Sequence, residues 1–488
     1  MGNTLHEAIV SETTDDFVEL LDQRTGLHIG FPRLNAADDL RAMLGDEFYR
    51  AIGQLGFFED IAIAELRARQ HEIRIRLQGE VRDDAIRGYG EFITKNVPYY
   101  RDTLKLDPSD LTGRDGLRRL PILARADLRE HFNELLSDGV SYSDHLAEGR
   151  MVWTRTSGTT SERIQVPVDL DLDRVPPDYD RIWNLDHGDK IPRTAVLTTP
   201  RCSPTECWLS AATLEERTRF GTRLFMNSHI DIFNVPEAAI RTFVDELWEF
   251  RPDFLLVNPT YLQIFCSRAV SLGLDLPPVE LVLSSYQYMS NLQRGVLGRL
   301  TGAPVYNIYT ATELCGCQLG VECSHGNWHV REDHSLLEVV DDDGAPSEVR
   351  VGNLLVTTHA NRLLPLARYK LGDLGRLSDA VCDCALEDWQ CFELHGRASE
   401  ALLINGERVT TRQFDAVMAF TSGVALYRCT QADENDLLVE VLPDTAGDLS
   451  VGAVAKTLGE RLDCRVKVVP VQGFDAGPSQ KFQLTRRA

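Results

Sequence analysis

The stretch EAAIRTFVDELWEFRPDFLLVNPTYLQIFCSRAVSLGLDLPPVELVLSS, residues 237–285, decides the fold class. Its opening, 237–250, places Ile240, Phe243, Val244 and Leu247 on one face at helical spacing and predicts an amphipathic helix. FLLV (254–257) reads as a short buried strand, YLQIFCSRAVSL (261–272) as a helix and VELVLSS (279–285) as another strand. Working outward, TAVLTT (194–199) is a β-branched strand upstream, and a helical segment around Leu292 to Leu300 leads into the strand VYNIY (305–309) downstream. Strands alternating with helices across short turns argue for βαβ units and a mainly parallel sheet covered on both faces. Functional loops are then expected at the carboxyl ends of the strands.

The pattern changes on both sides of this core. After LLVTT (354–358) the chain becomes hairpin-like through LARYKLGDLGRL, CFELHG and ALLINGERV. The final strand-like runs VALYRC, LLVEVL and CRVKVVP, with the helical VGAVAKTLGERL between them, predict a small α+β unit whose boundary falls near His395-Gly396-Arg397. Upstream, a helix-like run from Asp83 to Asn96 ends at Val97-Pro98, because a residue before proline is driven out of the helical region. Residues 1 to about 75 carry helical periodicity around Phe17, Leu20 and Leu21. The expected division is a helical extension at 1–80, a large α/β domain of several sheets at 81–395, and a small α+β domain at 396–488.

Composition narrows the function. A chain of 488 residues that is 43% hydrophobic and 26% charged can bury a substantial core, which excludes disorder and small stapled scaffolds. Its formal charge of -23 and the absence of any Lys/Arg block speak against nucleic-acid or anionic-membrane partners. The first residues have neither a basic nor an apolar leader region, so a cytoplasmic location is expected. No cysteine precedes Cys202, whereas Cys315, Cys317, Cys323, Cys382, Cys384 and Cys391 crowd together with His325, His329, His334, His359 and His395. That distribution favours a metal site over a disulfide framework.

Two kinds of residue could carry chemistry. Ser157-Gly158-Thr159-Thr160 forms a hydroxyl-rich turn whose glycine lets backbone approach a phosphate, but it lacks the Gly-Lys-Ser/Thr ending of a Walker loop. Cys323 and His329, with Cys382 and Cys384 flanking Asp383, supply three thiolates and an imidazole suited to a closed tetrahedral zinc site. Cys391 competes for one ligand position.

Five segments in order resemble the motifs of the adenylate-forming, acyl-CoA synthetase-like superfamily. Thr156 to Thr160 is similar to its ATP loop, and Tyr309-Thr310-Ala311-Thr312-Glu313 to its Tyr-Gly-x-Thr-Glu motif. Arg368-Tyr369-Lys370-Leu371-Gly372-Asp373 resembles Arg-Tyr-Arg-Thr-Gly-Asp, Gly396-Arg397 the entry to a mobile C-terminal domain, and Gly477-Pro478-Ser479-Gln480-Lys481 the terminal lysine motif. Within the superfamily, Asn96-Val97-Pro98-Tyr99-Tyr100 and Arg119-Leu120-Pro121-Ile122-Leu123 resemble early segments of phenylacetate-CoA ligases. Cys323, His329, Cys382 and Cys384 match that subgroup's zinc ligands. The resemblance covers about residues 85–488.

This resemblance implies ATP-dependent activation of a carboxylic acid through an acyl-adenylate, with release of pyrophosphate. It implies an aromatic acid, CoA as acceptor, Mg2+ and a structural Zn2+. The implied roles are Lys481 between the reacting carboxylate and phosphate, and Glu313 on Mg2+. Thr312 and Ser157, Gly158, Thr159 and Thr160 fall on phosphate oxygens. Asp373 falls on the ribose, with Tyr309 and Arg397 completing the nucleotide site. Ser284-Ser285-Tyr286-Gln287 departs from the family, where many relatives place a small residue followed by glutamate. Ser399 stands where many have an Asp or Lys hinge. An amine, hydroxyl or carrier-protein thiol is the rival acceptor, a nucleotide-binding pseudoenzyme or zinc-stabilised interaction protein the rival class, and a homodimer stays open. No Gly-x-Gly-x-x-Gly turn supports a dehydrogenase.

Overall fold

The structure, a computed structural model, describes residues 83–155, 164–170, 172, 179–186, 191–198, 213–219, 221–228, 231–347, 350–378, 382–475 and 482–488. Residue contacts divide the chain into two compact units, Met1–Gly88 with Thr112–Arg114, and Tyr89–Leu111 with Asp115–Ala488. Nearly all described residues belong to the second unit. The helical periodicity expected around Phe17, Leu20 and Leu21 lies outside the described residues.

The second unit contains a short helix α1 (Arg125–Glu130) and the paired strands β1 (Met151–Arg155) and β2 (Gln165–Asp169). A large sheet follows. Its strands in chain order are β3 (Thr194–Leu197), β4 (Thr218–Arg219), β5 (Arg223–Phe225), β6 (Phe254–Val257), β7 (Leu281–Ser284) and β8 (Val305–Thr310). They continue with β9 (Gln318–Glu322), β10 (Trp328–Val330), β11 (Leu336–Val340), β12 (Gly352–Thr357), β13 (Tyr369–Ser378) and β14 (Cys391–Arg397). These strands form one sheet of 12 in the order β11-β12-β13-β14-β10-β9-β8-β7-β6-β3-β5-β4. From β5 to β8 the pairing is parallel; from β8 to β11 it is antiparallel.

The parallel half is built from the alternation legible in the sequence. Leu255 and Val257 enter one apolar cluster with Ile240, Phe243, Val244 and Leu247 of helix α2 (Glu237–Phe250). Tyr261, Leu262 and Phe265 of helix α3 (Pro259–Ser271) and Leu297 of helix α4 (Asn291–Thr301) complete that layer. Phe254, Leu281 and Leu283 point the other way, onto Tyr179, Ile182 and Trp183. Both faces are therefore covered, as a parallel sheet requires. The helices start where side chains accept their orphan N–H groups: Asn258 Oδ1 accepts from Thr260 N and Tyr261 N, and Ser290 with Gln293 forms a capping box on α4.

The C-terminal portion has its own layer. A hairpin of β15 (Leu402–Ile404) and β16 (Glu407–Val409) precedes helix α5 (Thr411–Met418). Four strands, β17 (Val424–Asp433), β18 (Asp436–Pro443), β19 (Arg465–Pro470) and β20 (Thr485–Arg487), then pair in the order β19-β18-β17-β20, with helix α6 (Val451–Leu462) between β18 and β19. The expected architecture, a large α/β portion followed by a small α+β portion, is the one observed. This layer packs on the helices of the large sheet: Gln263 Nε2 donates to the Ala425 carbonyl at 2.9 Å, and Asp415 on α5 accepts from Asn291 N, the first residue of α4, at 2.9 Å.

Candidate functional site

Three of the predicted nucleotide residues meet at one corner of the large sheet. Strand pairing sets Asp373 on β13 opposite Arg397 on β14, and their side chains join with Arg397 Nε 3.0 Å from Asp373 Oδ1. Tyr309, near the end of β8, donates its hydroxyl to the other carboxylate oxygen, Asp373 Oδ2. Its ring is held by Trp328 and Phe392, with centroids 6.4 and 6.3 Å away. Burial first, and then the neighbouring Asp373 charge, push the Tyr309 hydroxyl well above its ordinary range, so it remains a donor. Asp373 raises the Arg397 guanidinium in turn.

Asp373 is 6% exposed, whereas the Arg397 side chain is 47% exposed. The acid is thus a fixed acceptor at the floor, and the cation reaches it from the solvent side. Each carboxylate oxygen is engaged once and keeps a second lone pair for a further donor. Gly396, just before this arginine, has φ +92°, and a Cβ there would come 2.8 Å from Thr411, so the corner needs glycine.

Thr312 and Glu313 lie in a single 3-10 turn that follows β8, at the carboxyl end of a parallel strand. Glu313 is mostly buried, at 15% side-chain exposure, and its Oε1 stands 3.8 Å from Arg125 Nη1 on α1. Arg125 is a charged neighbour that the sequence reading did not single out. The sequence signal was a lone arginine opening a short helix, which has no distinguishing pattern. Ser157, Gly158, Thr159 and Thr160 lie outside the described residues, in the stretch of chain joining the paired strands β1 and β2, and Lys481 lies outside them as well.

The thiol-rich residues converge elsewhere. Cys323 follows β9, His329 sits on β10, and Cys382 and Cys384 belong to the connection from β13 to β14. Their ligand atoms all lie within 4.8 Å of one another. A tetrahedral zinc with sulfur at about 2.3 Å and nitrogen at about 2.0 Å sets ligand–ligand edges of about 3.8 Å for sulfur pairs and about 3.5 Å for sulfur to nitrogen. Cys323 Sγ and Cys382 Sγ are 3.7 Å apart, and Cys384 Sγ is 3.4 Å from His329 Nε2. The donor set therefore fits such an ion.

The surroundings point the same way. His329 Nδ1 lies 3.3 Å from the Trp389 carbonyl, which orients the ring so that Nε2 faces the sulfurs. Asn327 Nδ2 donates to Cys382 Sγ and Leu386 N to Cys384 Sγ, both at 3.2 Å. A shared hydrogen bond with Cys384 lowers the Cys323 thiol, while the Cys384 thiol is raised by the same contact. Cys391 Sγ is 3.7 Å from His329 Nδ1, on the ring edge turned away from the converging atoms, and stands outside the set.

No protein-family model matches the chain. Among curated proteins it is similar to the phenylacetate-coenzyme A ligase of Thermus thermophilus, with 26% identity over 377 residues, 72% of this chain and 78% of that one. It is 24% identical over 411 residues to the phenylacetate-coenzyme A ligase of Aromatoleum evansii, covering 78% of this chain and 82% of the relative. Among solved structures, a 2-hydroxyisobutyryl-CoA ligase in its postadenylation state superposes with a TM-score of 0.62 at 16% identity, covering 84% of this chain and 89% of that one. The open conformation of that ligase gives 0.52, again at 16% identity, over 86% and 92% of the two chains. These structural likenesses speak to the fold. With five motifs in order, the chain is related to the adenylate-forming phenylacetate-CoA ligases.

Among the described residues, no helix is long and apolar enough to cross a membrane.

Proposed function

We propose that the protein is an AMP-forming ligase that activates an aryl or arylacetic acid with ATP, releases pyrophosphate and transfers the acyl group to CoA. The observation that carries this reading is the corner of Tyr309, Asp373 and Arg397, with Thr312 and Glu313 on the turn leaving β8. A buried carboxylate with lone pairs to spare suits a ribose diol, and the exposed guanidinium beside it suits a nucleotide's charge. Mg2+ bound at Glu313 would neutralise triphosphate charge as it shifts to the leaving pyrophosphate. Thr312 and the Ser157–Thr160 segment would donate to phosphate oxygens, and Lys481 would hold the acid's carboxylate against the α-phosphate as a point charge.

In this reading residues 81–395 form the adenylating domain, 396–488 the moving one, and 1–80 an added helical element. Cys323, His329, Cys382 and Cys384 would bind Zn2+ with four protein ligands and no open position, which suits a tether between the β9–β10 hairpin and the β13–β14 connection. The relatives named as phenylacetate-coenzyme A ligases support the choice of acid and acceptor. ATP/pyrophosphate exchange over a panel of aryl, alkyl and amino acids tests the first half-reaction. Product mass with CoA, amines and carrier proteins tests the second. Exchange with no acid in the panel overturns the reading; exchange without a CoA thioester moves the acceptor to the rival class.

A further inference from the structure

Ser284-Ser285-Tyr286-Gln287 departs from the family pattern, and the proposed chemistry leaves Gln287 without a task. Its carboxamide sits at the centre of a hydrogen-bonded chain across the carboxyl ends of β6 and β7. Gln287 Oε1 accepts from Asn258 Nδ2 at 3.0 Å, while Nε2 donates to Thr260 Oγ1. Thr260 Oγ1 also accepts from Gln293 Nε2 at 3.0 Å. The same Oε1 faces a second donor from far along the chain, the backbone N of Phe482 at 3.4 Å.

Phe482 is the residue after Lys481, and it is anchored a second time. Phe233, in the turn before α2, packs on both Phe474 and Phe482, with centroids 5.4 and 6.0 Å away, and those two rings lie 4.9 Å from each other. Arg428 covers both rings, 5.1 and 4.6 Å from their centroids, and its Nη2 donates to the Asp475 carbonyl at 2.6 Å. Gly473 is pressed against the same aromatic: a Cβ there would lie 2.8 Å from Phe233 Cβ. The two residues flanking 475–481 are thus held together, and the large α/β portion contributes Phe233 and Gln287 to the grip.

We propose that Gln287 and Phe233 are positioning residues for adenylation: they dock Phe482, the neighbour of Lys481 in the chain, on the large α/β portion. The inference rests on the role given to Lys481 above. The physical argument is short. A lysine whose neighbour in the chain is held has less freedom to lose when it meets the reacting carboxylate. A carboxamide suits the place because it accepts from two N–H groups and donates to a hydroxyl at once. Gln287→Glu keeps the acceptor, and the Thr260 hydroxyl can turn to supply the proton.

Gln287→Ala is expected to slow ATP/pyrophosphate exchange about tenfold, the scale of one lost orienting hydrogen bond, through kcat and with KM for ATP and acid nearly unchanged. Acyl transfer to CoA from preformed acyl-adenylate should keep its rate, and hydrogen exchange at the Phe482 amide should accelerate. Gln287→Glu should restore most of the exchange rate. Gly473→Ala, which forces Phe233 aside, should give the same split between half-reactions without touching the carboxamide. Equal losses in both half-reactions, a KM effect alone, or unchanged protection of Phe482 with normal wild-type activity would overturn the dock and leave the ligase reading standing. Absence of exchange in the wild-type protein would overturn the ligase reading, and with it the role assigned to the dock.

Discussion

The thiol cluster and the Tyr309–Asp373–Arg397 corner lie on neighbouring strands of one sheet, yet they are satisfied in opposite ways. In the cluster four donors converge within 4.8 Å, and neighbours orient the histidine and donate to the sulfurs. Nothing is left over for a substrate. At the corner the charges are paired with one another, but the arginine is half exposed and the carboxylate retains lone pairs. A closed constellation suits architecture; one with spare valence suits a ligand. Removing a member of the first should therefore cost folding, and removing a member of the second should cost chemistry.

The sharpest break of that contrast is Cys382→Ser. Protein washed with a chelator should carry about one zinc per chain, lost or weakened in Cys382→Ser and retained in both Cys391→Ser and Cys464→Ser by elemental analysis. Stability should fall by about 5 kcal/mol or more, since a structural zinc contributes on the order of 10 kcal/mol where it organises the chain. Active wild-type protein without metal would end the zinc assignment and leave the adenylation chemistry untouched.

Lys481→Ala tests the opposite end. Adenylate formation should drop about a hundredfold, roughly 3 kcal/mol, while transfer from preformed acyl-adenylate and the denaturation midpoint stay near wild type. Normal rates in both half-reactions would remove the lysine from the mechanism.

Two buried carboxylates sharpen the comparison further. Asp373 has a guanidinium at 3.0 Å. Asp415 is 1% exposed and accepts from Asn291 N and the Tyr427 hydroxyl, with Arg412 and Arg294 nearby as weaker influences. Burial lifts Asp415 from an ordinary 3.8 to about 6. The folded state then holds its proton more tightly than the unfolded chain does, so this contribution to stability is present below about pH 4 and is lost as pH rises to about 6. The full shift corresponds to at most about 3 kcal/mol. In denaturant titrations, wild type should lose about 2 kcal/mol relative to Asp415→Asn between pH 4.5 and 7. A flat difference would contradict the raised value.

The smallest effect is expected for Asp373→Ala. It should raise KM for ATP about tenfold, the weight of a pair of ribose hydrogen bonds, and leave thermal unfolding nearly unchanged because Arg397 can relax into water. A large folding defect with normal ATP kinetics would make this pair a structural one.

The sequence by itself determined the local elements and their order. Ile240, Phe243, Val244 and Leu247 fell on the buried face of α2, and FLLV at 254–257 became β6, because periodic burial writes itself directly into residue order. Helix α5 escaped that reading: TRQFDAVM is short, and it buries Phe414 and Met418 in a cluster assembled from Leu402 and Ile404 before it and Leu426, Tyr427 and Val439 after it. Motif order brought Tyr309, Asp373 and Arg397 together as candidates, and cysteine crowding did the same for the metal ligands. Tertiary structure decided what spacing could not. Cys391 and Cys384 carry the same chemistry seven residues apart, and the turn of the His329 ring sets Cys384 among the converging atoms and Cys391 outside them. Arg125 beside Glu313, and Gln287 beside Phe482, join residues distant in sequence through single contacts, which leave no periodic trace because they arise only when the chain has folded.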